Sequence, residues 1–389
     1  LHPRVRRQRQ MCIRDRSSRS LKAPERIGIF MNETIKKETQ EILKEISLLK
    51  ASDIFVVAGR PLSYRLNDQI LEYSQERLMP EDTMGFIEDI YALASHRSMA
   101  SLTEKGDDDF SFAIPGISRF RVNTYMQRGS AAAVIRIISF TLPSPQELGI
   151  PEGIIHLGDL NKGMVLVTGT AGSGKSTTLA CIIDYINKHR EKHIITLEDP
   201  LEYLHRHEKS IVSQREITTD TVSYISALRA SLRQSPDVIL LGEMRDYETM
   251  QVAMTAAETG HLIFSSLHTI GAANTIDRII DVFPANQQKQ ISVQLSMVLQ
   301  CIISQQLVPS ADGGRIPVFE IMTMTPALRN MIRERKIPQI EGQIYNSSSE
   351  AMCSMDSSLL KLFRAGAITR QTALDYASNP EMLIRNLGR

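Results

Sequence analysis

A chain of 389 residues with 42% hydrophobic content is long enough for two domains, each with its own buried core, and this excludes a disordered polymer. The formal charge of +1 conceals an asymmetry: residues 1–30 hold nine basic side chains, eight of them Arg, against Asp15 and Glu25, so the rest of the chain is mildly acidic, which argues against a nucleic-acid-binding body. No run of about 18 apolar residues exists to span a bilayer, and the four cysteines, Cys12, Cys181, Cys301 and Cys353, stand singly, with no CxxC pair for zinc and no disulfide framework.

Residues 1–30 have neither the apolar core of a signal peptide nor a periodic face, and read as a non-native or disordered leader ahead of a start at Met31. A basic arm for nucleic acid or anionic lipid is the alternative. From Met31 to about Leu49, Ile42, Leu43, Ile46 and Leu49 fall at helical spacing among Lys and Glu, which predicts an amphipathic helix. Short alternating runs at 53–57, 110–114, 119–125 and 132–138 predict the strands of a small α/β domain over 31–142. The stretch 143–151, with Pro143, Pro145 and Pro151, predicts a semi-rigid joint. Apolar strands then alternate with helices, at 164–168, 176–188, 193–197, 221–233 and 238–241, predicting a parallel α/β core over 152–325. From about Pro326 the segments LRNMIRERK, MDSSLLKLFRAG and TRQTALDYAS read as helices only, with Asn379 and Pro380 setting off the tail. They predict a helical appendage over 326–389. Single cysteines and no membrane span suit a reducing cytoplasm.

The chemistry concentrates in MVLVTGTAGSGKST, Met164 to Thr177. An apolar strand runs into Gly169, Thr170, Ala171, Gly172 and Ser173, then Gly174, Lys175, Ser176 and Thr177, and on into a helix, which is the phosphate-loop spacing in its required context. Glycines let backbone N–H groups turn inward around phosphate oxygens, and the helix N-terminus adds a favourable dipole. Lys175 is expected to neutralise the β and γ phosphates of ATP, and Ser176 to offer a hydroxyl to Mg²⁺.

Hydrolysis also needs acidic groups to orient water and hold the metal. In TLEDPLEY, Thr196 to Tyr203, Glu198 and Asp199 project from a strand end, and either is expected to join Ser176 on Mg²⁺. In VILLGEMRD, Val238 to Asp246, Glu243 stands just past a buried strand and is the expected water-orienting carboxylate. His261 and His268 bracket the apolar strand of ETGHLIFSSLHT and are candidate site residues, without a metal implied.

At these four motifs the sequence resembles the secretion ATPase superfamily, the motors of type II secretion and type IV pili. LRQSPDVILLGEMRD looks like that family's signature, in which Gly242 takes the place of the usual Walker B aspartate and Glu243 carries the catalytic role. The likeness to its retraction branch, the PilT type, runs from about Met31 through RFRVN, QRGSAAAVIRI, TIDRIIDVFP, ALRNMIRE and the closing helices. It implies a PAS-like N-terminal α/β domain before a RecA-like P-loop NTPase domain, a homohexamer, and work against an inner-membrane platform protein of the PilC type, without direct membrane insertion. Arg121, Arg128 and Arg136 match the segment that brings arginines to nucleotide in that family, while Arg278 and Arg329 are candidates for subunit contacts. Phe55 departs from the family's frequent histidine. An assembly or secretion motor would carry a longer N-terminal region and a four-cysteine zinc module. A non-catalytic accessory paralogue is disfavoured by intact Lys175, Ser176 and Glu243.

Overall fold

The computed structural model describes residues 38–66, 69–138, 142–347 and 351–387. The expected leader and the start of the expected first helix lie outside them. Helix α1, residues 38–48, buries Leu43 and Ile46 completely, as the helical spacing requires. Strands β1 (Asp53–Val56), β2 (Pro61–Leu66) and β3 (Gln69–Arg77) lead to helices α2 (Pro80–Leu93) and α3 (Ala100–Lys105). Strands β4 (Asp107–Ile114), β5 (Ser118–Gln127) and β6 (Ser130–Ile138) complete an antiparallel sheet of order β3-β2-β1-β6-β5-β4.

Along β5 the pleat buries Phe120, Val122 and Thr124 while turning Arg119, Arg121 and Asn123 to the other face. Helix α2 starts at Pro80, whose fixed φ suits the first helical position, and the Asp82 carboxylate accepts the Met79 N–H at 2.7 Å. Its Ile87, Ile90 and Tyr91 enter the same core as Phe112 and Phe120, whose rings stack at 5.3 Å. Phe55 lies beneath the Arg65 guanidinium, 5.2 Å from the ring centre.

The connection to the second sheet is held by its own side chains. Ser144 N–H donates to Glu147 Oε2 at 2.9 Å, Glu147 N–H donates to Ser144 Oγ at 3.3 Å, and Ile150 is buried in the core below. After a short helix α4 (Glu152–Ile155), the chain builds β7 (Gly163–Thr168), α5 (Lys175–His189), β8 (His193–Glu198), β9 (Ile211–Glu216), α6 (Tyr224–Ser231), β10 (Val238–Leu241), α7 (Tyr247–Glu258), β11 (Leu262–Leu267), α8 (Ala272–Asp281), α9 (Gln288–Val298), β12 (Leu299–Pro309) and β13 (Arg315–Thr323). The sheet order is β13-β12-β7-β11-β10-β8-β9, parallel except for β13 at one edge. Helices cover both faces, so β7, β10 and β11 are buried at every position and β10 reads as a continuous apolar run. Truncating the fully buried Phe264 of β11 to Ala would cost about 3–5 kcal/mol.

Helices α10 (Pro326–Arg333), α11 (Pro338–Tyr345), α12 (Met355–Arg364), α13 (Arg370–Asp375) and α14 (Pro380–Leu387) close the chain. Asn379 and Pro380, expected only to set off the tail, also start α14: the Asn379 side chain accepts the Met382 N–H at 3.0 Å and proline takes the first helical position. Arg329 donates to the carbonyls of Ser296 at 2.6 Å and Met297 at 3.1 Å, satisfying the end of α9 within its own chain. Arg278 is exposed on α8.

A largely buried ion pair joins the two sheets. Arg119 of β5 donates twice to Glu216 Oε2, at 2.8 and 3.1 Å, and Ser111 of β4 donates to Oε1 at 2.8 Å. Glu216 is the last residue of β9 and pairs in register with Glu198 of β8.

Candidate active site: the phosphate cleft

All parallel strands end at one side of the second sheet, where ligands bind in folds of this kind. Strand β7 ends at Thr168, and the chain turns at Gly169 with φ +142°. A Cβ there would stand 2.2 Å from the Gln305 carbonyl oxygen and 2.7 Å from Ser173 Oγ, so only glycine lets the loop close this tightly. Lys175, 7% exposed, donates from Nζ to the carbonyls of Gly169 at 2.9 Å and Thr170 at 2.8 Å. Burial pulls its pKa down, opposed by the carboxylates of Glu202 and Glu243. The hydroxyls of Thr168 and Ser173 are buried beside the loop without a hydrogen-bond partner. Such orphaned groups, with a cradle that a Cβ would fill and a buried cation, fit a polyphosphate.

A cleft of about 270 Å³ opens beside the loop, lined by Lys175, Ser176, Glu198, Asp199, Glu243 and His268 among others. Glu243, 9% exposed, is held at both oxygens, by Arg245 Nη2 at 2.6 Å and by His268 Nε2 at 3.2 Å. Burial pushes the Glu198 carboxyl up to about 7, and the nearby carboxylates of Glu202 and Glu216 push the same way. Asp199 is exposed at the cleft edge and is followed by a cis bond to Pro200. Ser176 with either acid could supply protein ligands to Mg²⁺, which takes the rest of its shell from phosphate and water.

Gly242 explains why the cleft has no side chain one residue before Glu243. A Cβ would meet Tyr224 Oη at 2.9 Å and the backbone of β8 at 3.3 Å, both at Glu198 Cα and at Leu197 O. A side chain at 242 would therefore press on the Tyr224 hydroxyl and on the backbone of β8 at Leu197 and Glu198.

The other expected residues lie elsewhere. His261 precedes β11 while His268 follows it, so a six-residue strand, roughly 20 Å, separates them. His261 Nδ1 sits 3.0 Å from the Ala256 carbonyl at the far end of the sheet. Thr177 lies against Tyr203, with the hydroxyls 3.0 Å apart, and lines the second cavity described below. Arg121 pairs with Asp109 at 2.8 Å, within the field of Glu216 and Asp199, and Arg136 pairs with Asp53 at 3.2 Å. Arg128 is exposed in the β5–β6 turn at φ +52°. None of these three arginines lines the cleft of its own chain.

Sequence reasoning missed Arg245, Tyr224 and Arg119. Only Arg245 carried a local signal, a basic residue two positions beyond Glu243 in the same loop. A second cavity, of about 340 Å³, lies between the proline-rich connection and the β12–β13 hairpin, touching Gly174, Thr177 and Thr178. Its walls include Leu148, Ile150, Leu307, Ile316 and Pro317.

A parallel RecA-like sheet with a phosphate loop, a buried lysine and strand-end acids defines a P-loop nucleotide-binding protein. The family model for the type II/IV secretion system protein matches residues 31–371, and the chain belongs to that family. It is 44% identical over 331 residues to the type IV pilus retractation ATPase PilT of Pseudomonas aeruginosa, covering 85% of this chain and 95% of that one. A twitching motility protein of Neisseria gonorrhoeae is 48% identical over 276 residues, covering 71% of this chain and 74% of that one. Among solved structures, the pilus retraction motor PilT with bound ADP superposes with a TM-score of 0.81 at 46% identity, over 89% of this chain and 98% of that one.

Proposed function

We propose that this chain is an ATP-hydrolysing motor that drives type IV pilus retraction, working as a homohexamer against a PilC-type platform protein at the cytoplasmic face of the inner membrane. The observation that carries the reading is the pairing of Lys175 and Glu243 around one cleft, with Glu243 held 3.2 Å from His268. The retraction and twitching relatives support its direction of work. Among the described residues no helix is long and apolar enough to cross a membrane, so contact with the membrane would run through the platform protein.

ATP would lay its phosphates in the 270 Å³ cleft and its base and ribose in the 340 Å³ cavity on the other side of the α5 start. Lys175 would leave the loop carbonyls for the β and γ oxygens. Ser176 and Glu198 or Asp199 would hold Mg²⁺, which when bound neutralises charge on the phosphate oxygens. Glu243 would orient the attacking water and take its proton, with His268 fixing one carboxylate oxygen. Arg121, Arg128 and Arg136, which do not line their own cleft, would serve the nucleotide of a neighbouring subunit. Closure of the first sheet over the cleft, pivoting near the Arg119–Glu216 contact, would be the power stroke.

The test is deletion of the gene in its host, with surface pili and twitching movement both counted. Many pili with movement lost are expected; bare cells would make this an assembly motor and reject the retraction reading.

A further inference from the structure

His268 is the last side chain of β11's run that reaches Glu243, and what fixes His268 lies outside the cleft. Only Thr269, Ile270 and Gly271 separate it from the first residue of α8. Hydrogen bonds beyond the helix's own pin this turn. The hydroxyls of Thr269 and Thr275 meet at 2.7 Å, Gly271 N–H donates to Ser304 Oγ at 2.9 Å, and Ala272 N–H donates to Glu320 Oε1 at 2.8 Å. Ser304 and Glu320 face each other across the β12–β13 ladder, and Ser304 is also the register partner of Thr168 at the mouth of the phosphate loop. The turn is therefore referenced to the β12–β13 edge of the sheet and, through Ser304, to the strand that carries the phosphate loop.

The other oxygen of Glu320 belongs to a different element. Met355 N–H, the first of α12, donates to Glu320 Oε2 at 3.4 Å. The next residue, Asp356, accepts Ser378 N–H at 2.7 Å and Asn379 N–H at 3.0 Å at the approach to α14. One carboxylate thus joins the N-termini of α8 and α12, and a second continues the chain of contacts to α14. The residue type matters. A carboxylate offers an acceptor to each helix and a charge that suits both dipoles, whereas an amide would turn an N–H toward one of them. Burial pushes the Glu320 pKa up, with the two N–H bonds opposing it and the carboxylates of Glu341 and Asp356 adding to it.

We propose that Glu320 is a positioning residue, which sets His268 against Glu243 through the start of α8 and links that setting to the C-terminal helices through α12. The proposal rests on His268 and Glu243 acting in the cleft. It makes the α12–α14 layer a handle on hydrolysis, so that a load applied to those helices changes turnover without touching the phosphate loop.

The experiment is a double-mutant cycle in the full chain, with kcat and KM for MgATP measured for the parent, Glu320→Ala, His268→Ala and the pair. Glu320→Gln, which keeps the packing and one acceptor, stands in if the alanine variant does not fold. The expected result is a fall in kcat of about tenfold for Glu320→Ala with KM changed less than about twofold, and a double variant no slower than His268→Ala. Losses that multiply, or a His268→Ala variant with parental kcat, overturn the proposal. Hydrogen exchange of the nucleotide-free protein tests it even if the parent proves not to hydrolyse ATP, which would refute the proposed function. Faster exchange in Glu320→Ala at both 272–275 and 355–358 is expected, and a change confined to 355–358 overturns the link.

Discussion

Replacing Arg119 by Ala would strand a carboxylate at the junction of the two sheets. The Arg119 side chain is 15% exposed and that of Glu216 is 6%, so the pair is shielded, and Glu216 would keep only the Ser111 hydroxyl on its side chain. Removing one partner of a buried pair costs about 3–5 kcal/mol; because Ser111 remains and Arg119 is not fully enclosed, the lower end, about 3 kcal/mol, is expected. The same change reaches the chemistry. Glu216 adjoins Glu198 across the β8–β9 ladder and already pushes the Glu198 carboxyl toward its value of about 7. Without the guanidinium, the Glu216 charge is less compensated, more negative potential falls on Glu198, ionisation becomes harder, and its pKa rises further. If Glu198 must be ionised to act, the acid limb of kcat/KM lies near pH 7 in the parent and moves to higher pH in Arg119→Ala. Adding Glu216→Gln removes the stranded charge and should restore both the limb and more than half of the lost stability. Urea unfolding and a pH series of ATPase rates measure the two effects. An unchanged limb in the single variant, or a double variant less stable than the single, would refute the reasoning.

The remaining tests address the cleft directly. Glu243→Gln should bind a fluorescent ATP analogue within a few-fold of the parent while kcat falls about 10²–10⁴-fold, and substantial turnover would remove Glu243 from its role. Lys175→Ala should raise the nucleotide Kd by about 10–100-fold, through lost charge-assisted bonds, as read by the same titration. Chelation with EDTA should stop hydrolysis and excess Mg²⁺ should restore it; activity that persists in chelator contradicts the metal assignment.

The core sheet was legible because its strands are buried on both faces. Val238–Leu241 is apolar at every position, and the observed bounds of β10 are those read from the sequence. The β2–β3 hairpin was not, since Gln69–Arg77 is polar and largely exposed and leaves no alternation to detect. Strand β12 was hidden by Ser304, Gln305 and Gln306 in an otherwise apolar run, polar residues whose partners come from other elements; Thr178 Oγ1, for instance, donates to Gln305 at 2.7 Å. The phosphate loop was legible as local chemistry at fixed spacing. The arginines were not separable. Arg119 and Arg121 share a face of β5, and only a partner 97 residues away singles out Arg119 as the side chain that crosses to the second sheet. Two histidines flanking one strand looked equivalent in sequence, although a strand places its ends far apart.

Gly242 also constrains which substitutions the site accepts. A mutation that restores an acid there meets the Tyr224 hydroxyl at once, and shrinking Tyr224 first still leaves the β8 backbone 3.3 Å from the new Cβ. Any side chain at 242 therefore requires Tyr224 to turn aside and the β8 backbone to give by a few tenths of an ångström. Substitution at 242 thus perturbs the strand that carries Glu198 and the residue before Glu243 together, so the glycine tolerates change less readily than exposed positions around the cleft, such as Asp199.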